Sequence, residues 1–243
     1  MGLSFFFAYL CPHTFRINLK HLETMNEKPS CRIYLFRHGE TANSKEVCFN
    51  GHFDVSLSGK GESQFSEWAK CLQGEPFKAI YSSDLERTRN SARILGEPHR
   101  LEPITFPELR EMCFGNWEGL SVAEVEKRYP DQLGERMKDI EAFQVQGGET
   151  FAQLQERVIP KFEEIVRRHP NEQIAVVCHG GVNRVILSHL LEIPMKRIFR
   201  LKQDYAALNI IQYYGDEPVV ELLGGASSNI FDTPTQAKII AIQ

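Results

Sequence analysis

Leu35-Phe36-Arg37-His38-Gly39-Glu40-Thr41 decides the fold: an apolar run closes on an arginine and a histidine, and a glycine follows at once. A second segment, Val176-Val177-Cys178-His179-Gly180-Gly181, repeats the pattern far along the chain. In an open α/β sheet the carboxyl ends of parallel strands meet in one crevice, and ligands bind there. Two strands ending this way would bring the imidazoles of His38 and His179 face to face.

Working outward from these strands, Cys31–Phe36 reads as a central strand, and Ser58 caps a helix running to about Leu72 with Phe65, Trp68, Ala69 and Leu72 at helical spacing. Lys78–Ser82 reads as a second strand. Ser83-Asp84-Leu85-Glu86 has the form of a capping box opening the next helix, with Arg87 in its first turn. A short strand near Pro103–Phe106 leads to Glu108-Leu109-Arg110-Glu111 and to a glycine-tryptophan loop, Gly115–Gly119, a candidate wall of the pocket. Polar helical sequence from Ser121 to about Gln146, with a capping box at Ser121 and Glu124, reads as an insertion over the pocket. Thr150 and Gln153 make a third box for a long amphipathic helix ending near His169-Pro170. Ile174–Cys178 is the clearest buried strand, Val182–Leu191 the helix after it, and Asn209–Tyr213 and Val219–Leu222 the closing strands. The alternation predicts a three-layer α/β/α fold with a mostly parallel central sheet. One domain is expected over 25–243, with an insertion at about 112–148 and residues 1–24 as an extension outside the fold.

The 243 residues carry 28 Lys+Arg against 32 Asp+Glu, a formal net charge of -4. That balance offers no general pull toward nucleic acid or an anionic membrane, so any anion site must be local. The apolar run Gly2–Leu10 is too short to span a bilayer and lacks a preceding basic residue and a small-x-small cleavage site. Six cysteines without a C-x-x-C pair read as reduced packing residues, which fits a cytoplasmic setting. The remaining histidines show no metal spacing such as H-E-x-x-H, and the glycine pair after His179 is not G-x-G-x-x-G, so neither a metal nor a dinucleotide cofactor is called for.

Moving a phosphoryl group without a metal requires a nucleophile, cations and donors around the phosphate oxygens, and an acid for the leaving alcohol. The predicted strand ends supply ring nitrogens at His38 and His179 and guanidinium forks at Arg37 and Arg87, with helix N-termini adding positive partial charge. Arg37-His38-Gly39-Glu40 matches the Arg-His-Gly-Glu signature, and with Arg87, Glu111 and His179 the chain resembles the histidine phosphatase superfamily, whose fold is phosphoglycerate mutase-like. The resemblance runs over roughly 31–213. It implies that His38 is transiently phosphorylated, that Arg37, Arg87 and His179 hold the phosphoryl oxygens, and that Glu111 is the proton donor rather than Glu108. It also implies that loop residues Asn43, Ser44, Asn50 and Gly51, together with Gly180, help bind the substrate. Relatives often carry the loop asparagine six residues after the histidine, whereas here Ser44 holds that place and Asn43 precedes it.

The string Glu111–Glu118, the short insertion and Phe199-Arg200-Leu201 with Gln203 resemble the alpha-ribazole phosphatase branch, which acts on a nucleotide precursor of cobalamin. The expected activity is therefore a metal-independent phosphomonoesterase acting on a small phosphorylated metabolite, either alpha-ribazole 5'-phosphate or a broad range. A phosphoglycerate-type mutase and a phospho-ligand binding module without turnover stand as alternatives. Trp117 lines the specificity pocket or simply packs the loop. Sequence leaves the oligomeric state open, a dimer being one option.

Overall fold

The computed structural model describes residues 29–227. The expected extension over residues 1–24 lies outside them. Six strands form one sheet: β1 (Pro29–Arg37), β2 (Phe77–Ser82), β3 (Ile104–Thr105), β4 (Gln173–Cys178), β5 (Leu208–Tyr214) and β6 (Glu217–Gly225), in the order β3-β2-β4-β1-β5-β6. The first four in that order run parallel, while β5 is antiparallel to both its neighbours, β1 and β6. Leu35 pairs with Val176 and Arg37 with Cys178 on the adjacent β1 and β4, so His38 and His179 leave the sheet side by side.

Side chains alternate across a strand, and here both faces are apolar because both are covered. Ile33, Leu35, Ile174, Val176 and Cys178 point to one face, under α5 (Phe151–Arg167) and α6 (Gly180–Leu190). Tyr34, Phe36, Ile80, Ala175 and Val177 point to the other, against α1 (Gly59–Cys71) and α2 (Glu86–Gly96). The result is the expected α/β/α sandwich. Helix α1 is capped by the Ser58 hydroxyl, which accepts from Gly61 N, and α5 by a complete Thr150–Gln153 box.

The insertion holds α3 (Val122–Arg128), opened by the expected Ser121–Glu124 box, and α4 (Gln132–Lys138). Trp117, Val125 and Val145 form a small core of their own, with Phe49 and Phe143 packed against it. Trp117 is fully buried, and its indole N–H donates to Gln132 Oε1. It packs the loop and does not line the pocket. An isolated bridge from Cys48 to Ser121 and the Glu118 carboxylate, which accepts from His52 N and Phe114 N, fasten the insertion to the loop after β1. The five described cysteines are all free, and Cys31 and Cys178 are buried in the core.

Candidate active site

His38 follows β1 immediately, its own N–H bonded to Cys178 O and its carbonyl accepting from Ala206 N. The ring is almost enclosed, and Nδ1 lies 2.7 Å from Gly39 O. A carbonyl only accepts, so Nδ1 carries the proton and Nε2 keeps its lone pair. Burial, and then Arg87 and Arg37, hold this histidine well below the ordinary value, leaving it neutral near pH 7. His179 stands opposite with ring centroids 5.3 Å apart, held low by burial, Arg87 and His38. Its Nε2 meets Ser83 Oγ at 2.8 Å, while its buried Nδ1 has no partner among the described residues.

Two guanidiniums flank the pair. Arg37 donates from Nη1 to Gln203 O at 2.6 Å and lies under the Tyr205 ring, 4.1 Å from its centroid. Arg87 is buried on the first turn of α2 and donates to Gly51 O and Phe53 O. Neither makes an ion pair with a described residue, and in each the Nε is buried and unpartnered. Burial lowers both from the ordinary arginine value without removing the charge. A buried cation without a carboxylate partner is costly unless an anion joins it.

Glu111 reaches the same crevice from the loop after β3. Its two oxygens accept from Met112 N and from Gly181 N, both at 2.9 Å, which anchors the carboxylate at the N-terminus of α6. The close approach depends on glycine, since a Cβ at Gly181 would stand 2.3 Å from Oε1. Glu108 instead lies near Lys161 on the surface of α5.

Asn43 and Asn50 exchange amide bonds at 2.7 and 3.1 Å and so brace the loop against itself. Ser44 sits beside the Glu40 carboxylate, whose pKa is lowered first by Lys60 and then by the Ser58 and Ser44 side chains. Gly51, at φ +45, supplies the carbonyl that Arg87 uses, and a Cβ there would strike Glu118 Oε1. Gly180 lies against Arg37 Nε and Arg184 Nη1, distances of 3.5 and 3.0 Å from where its Cβ would be.

One local expectation fails. Helix α2 begins at Glu86 with Leu85 at its cap and no side-chain cap bond, so Ser83-Asp84-Leu85-Glu86 is not a capping box. The Ser83 hydroxyl is drawn instead to His179 and Thr88, and Asp84 pairs with Arg110. Helix α6 also starts at Gly180, two residues before the expected start. Sequence reasoning passed over Ser83 as a ligand of His179, Tyr205 over Arg37, and Arg136 and Arg184 near Glu111. These contacts join distant elements and leave no local pattern.

Among the described residues no group of three His, Cys, Asp or Glu could hold a metal, and no helix is long and apolar enough to cross a membrane. Residues 33–225 match the histidine phosphatase superfamily, branch 1. The chain belongs to that superfamily. As a histidine phosphatase it falls in the class of phosphoric monoester hydrolases. It is 31% identical over 180 residues to phosphoserine phosphatase 1 of Hydrogenobacter thermophilus, spanning 74% of this chain and 85% of that one. Over 196 residues it is 27% identical to the adenosylcobalamin/alpha-ribazole phosphatase of Escherichia coli, spanning 75% and 92%. The solved structure of a mycobacterial glucosyl-3-phosphoglycerate phosphatase superposes with a TM-score of 0.73 at 26% identity, over 80% of this histidine phosphatase and 99% of that chain.

Proposed function

We propose that this histidine phosphatase hydrolyses a small phosphomonoester through a phosphohistidine on His38. The carrying observation is the fixed tautomer of His38: Gly39 O holds the Nδ1 proton, so the Nε2 lone pair is free beside two carboxylate-free guanidiniums. In the first step Nε2 attacks phosphorus, the bond to the ester oxygen breaks, and Glu111 protonates the departing oxygen. The phosphoryl charge rests on Arg37, Arg87 and a donor from His179. In the second step the Glu111 carboxylate takes a proton from water, the water oxygen attacks phosphorus, and the P–N bond breaks to return its electron pair to Nε2. Inorganic phosphate leaves, and no metal takes part. Asn43, Ser44, Asn50, Gly51 and Gly180 shape the phosphate end, with Asn50 and Gly51 acting through the loop that receives Arg87.

A specific observation bears on the leaving group. Arg136, from α4, is 7% exposed and meets Met112 Sδ and the rings of Phe114 and Phe151. Arg184 donates to Leu201 O and lies over Phe199. Neither pairs with a described carboxylate, and Glu111 is an electrostatic neighbour of both. None of Arg37, Arg87, Arg136 and Arg184 forms an ion pair with a described carboxylate, although Asp204, Asp54 and Glu118 join Glu111 as more distant electrostatic neighbours of some of them. Guanidiniums without a direct partner favour a substrate whose alcohol portion carries its own acid group. Names such as phosphoserine phosphatase among the relatives support this reading. Alpha-ribazole 5'-phosphate, supported by the Glu111–Glu118 segment and the E. coli relative, is the second reading.

The test is p-nitrophenyl phosphate turnover by the wild type and His38→Ala, followed by a panel of O-phosphoserine, 3-phosphoglycerate and alpha-ribazole 5'-phosphate. The nucleophile variant should lose at least roughly a thousandfold in rate. Near-wild-type turnover by it would sink the proposal.

A further inference from the structure

Ser83 stands at the end of β2 with its side chain fully enclosed. Three groups surround its hydroxyl oxygen: Thr88 Oγ1 at 2.6 Å, His179 Nε2 at 2.8 Å and Leu85 N at 3.3 Å. The amide can only donate, so it takes one lone pair and leaves one lone pair and one proton for Thr88 and His179. Two orderings satisfy that oxygen. In one, His179 Nε2–H donates to Ser83, Ser83 donates to Thr88, and His179 Nδ1 is a bare lone pair. In the other, Thr88 donates to Ser83, Ser83 donates to His179 Nε2, and the imidazole proton sits on Nδ1.

Surrounding bonds permit the second ordering. The other acceptors within reach of the Thr88 hydroxyl are the carbonyls of Ser83 and Leu85, and both already have donors: Ser82 Oγ for the first, Thr88 N and Arg89 N for the second. The ring's buried Nδ1 meets no described group, so its bond is kept for a ligand. A phosphoryl oxygen is an acceptor and admits only Nδ1–H.

We propose that Ser83, backed by Thr88, is a positioning residue that fixes His179 as its Nδ1–H tautomer, turned as a donor toward the phosphoryl group bound beside His38. The inference rests on the phosphatase reading. It makes the two histidines complementary: Gly39 O frees Nε2 of His38 for attack, and Ser83 frees the Nδ1 proton of His179 for donation. Because burial keeps His179 neutral, the ring has one proton, and its position matters.

The experiment reads histidine ring 15N chemical shifts of the full chain with orthovanadate bound, beside p-nitrophenyl phosphate kinetics, for wild type, Ser83→Ala and Thr88→Val. The wild type should show His179 protonated at Nδ1. Ser83→Ala should move His179 toward the other tautomer and lower kcat roughly ten- to a hundredfold with KM changed less than about threefold, as losing an orienting partner of a histidine does elsewhere. Thr88→Val should shift the tautomer in the same direction with a smaller loss, and it decides the matter if Ser83→Ala does not fold. An Nε2-protonated His179 in the vanadate-bound wild type, or unchanged tautomer and kcat in the folded variants, overturns the inference while the phosphatase reading stands. Absence of both turnover and vanadate binding in the wild type overturns both.

Discussion

Arg136 forms no ion pair with a described carboxylate, Glu111 being only an electrostatic neighbour, and burial lowers its pKa to about 10 while leaving it a cation at neutral pH. A hydrogen bond from such a group to a substrate carboxylate contributes about 1.5–3 kcal/mol, equivalent to roughly ten- to a hundredfold in kcat/KM. Arg136→Gln should therefore lower kcat/KM for O-phosphoserine by that factor while p-nitrophenyl phosphate, which has no carboxylate, changes little. Arg136→Lys should recover part of the loss, and an equal fall on both substrates would count against an acidic leaving group. At this scale the site was legible where chemistry and chain order coincide. Arg37, His38, Arg87, Glu111 and His179 stand at predicted strand ends, helix starts or loop mouths, and the structure gathers all five. Arg136 and Ser83 were not legible, because an arginine among insertion charges and a serine before a helix have commoner uses, and only the tertiary contacts distinguish them.

The elements followed local rules wherever local bonds were free to form. Ser121 and Thr150 cap α3 and α5 as their capping boxes require, with Glu124 and Gln153 reaching back. Each such cap contributes about 0.5–2 kcal/mol. Ser83 had the same signature and broke the rule, because His179 and Thr88 compete for its hydroxyl and α2 starts without a side-chain cap. Local propensity yields here to a site, where such failures concentrate. The glycine-tryptophan loop shows the opposite outcome: Trp117 resembled a pocket wall, but the insertion is too small to fold without a core, and the indole supplies it.

Across the whole molecule the sheet order fixes everything else. With β4 and β1 adjacent and parallel, the two histidines share one crevice, and the helices after β2 and β4 bring Arg87 and the Gly181 amide to it. The paired strands and apolar runs make this architecture readable in the sequence, whereas the path of the loop that receives Arg87 is not. Burying two neutral histidines between arginines also sets a pH dependence. The unfolded chain takes up protons at His38 and His179 as pH falls through about 6.5, while the folded protein resists until well below that value. Their depressed values leave stability intact above pH 6.5 and erode it as pH falls from there toward the folded values, by up to about 1.4 kcal/mol per histidine per pH unit. Thermal melts should give a lower Tm at pH 5.5 than at pH 7.5, with a flatter profile for a His38→Asn, His179→Asn double variant. A Tm that rises on acidification would contradict the buried neutral pair.

Covalent phosphorylation of His38 is the central claim, and an alkaline rapid quench tests it most directly. Glu111→Gln should still react with p-nitrophenyl phosphate, whose leaving group needs no acid, but should hydrolyse the intermediate slowly. Mass spectrometry of the quenched protein should then find a phosphoryl group on His38 within the first turnover, and none in His38→Ala. Turnover with no phosphorylated His38, or with the label on another side chain, would contradict the account.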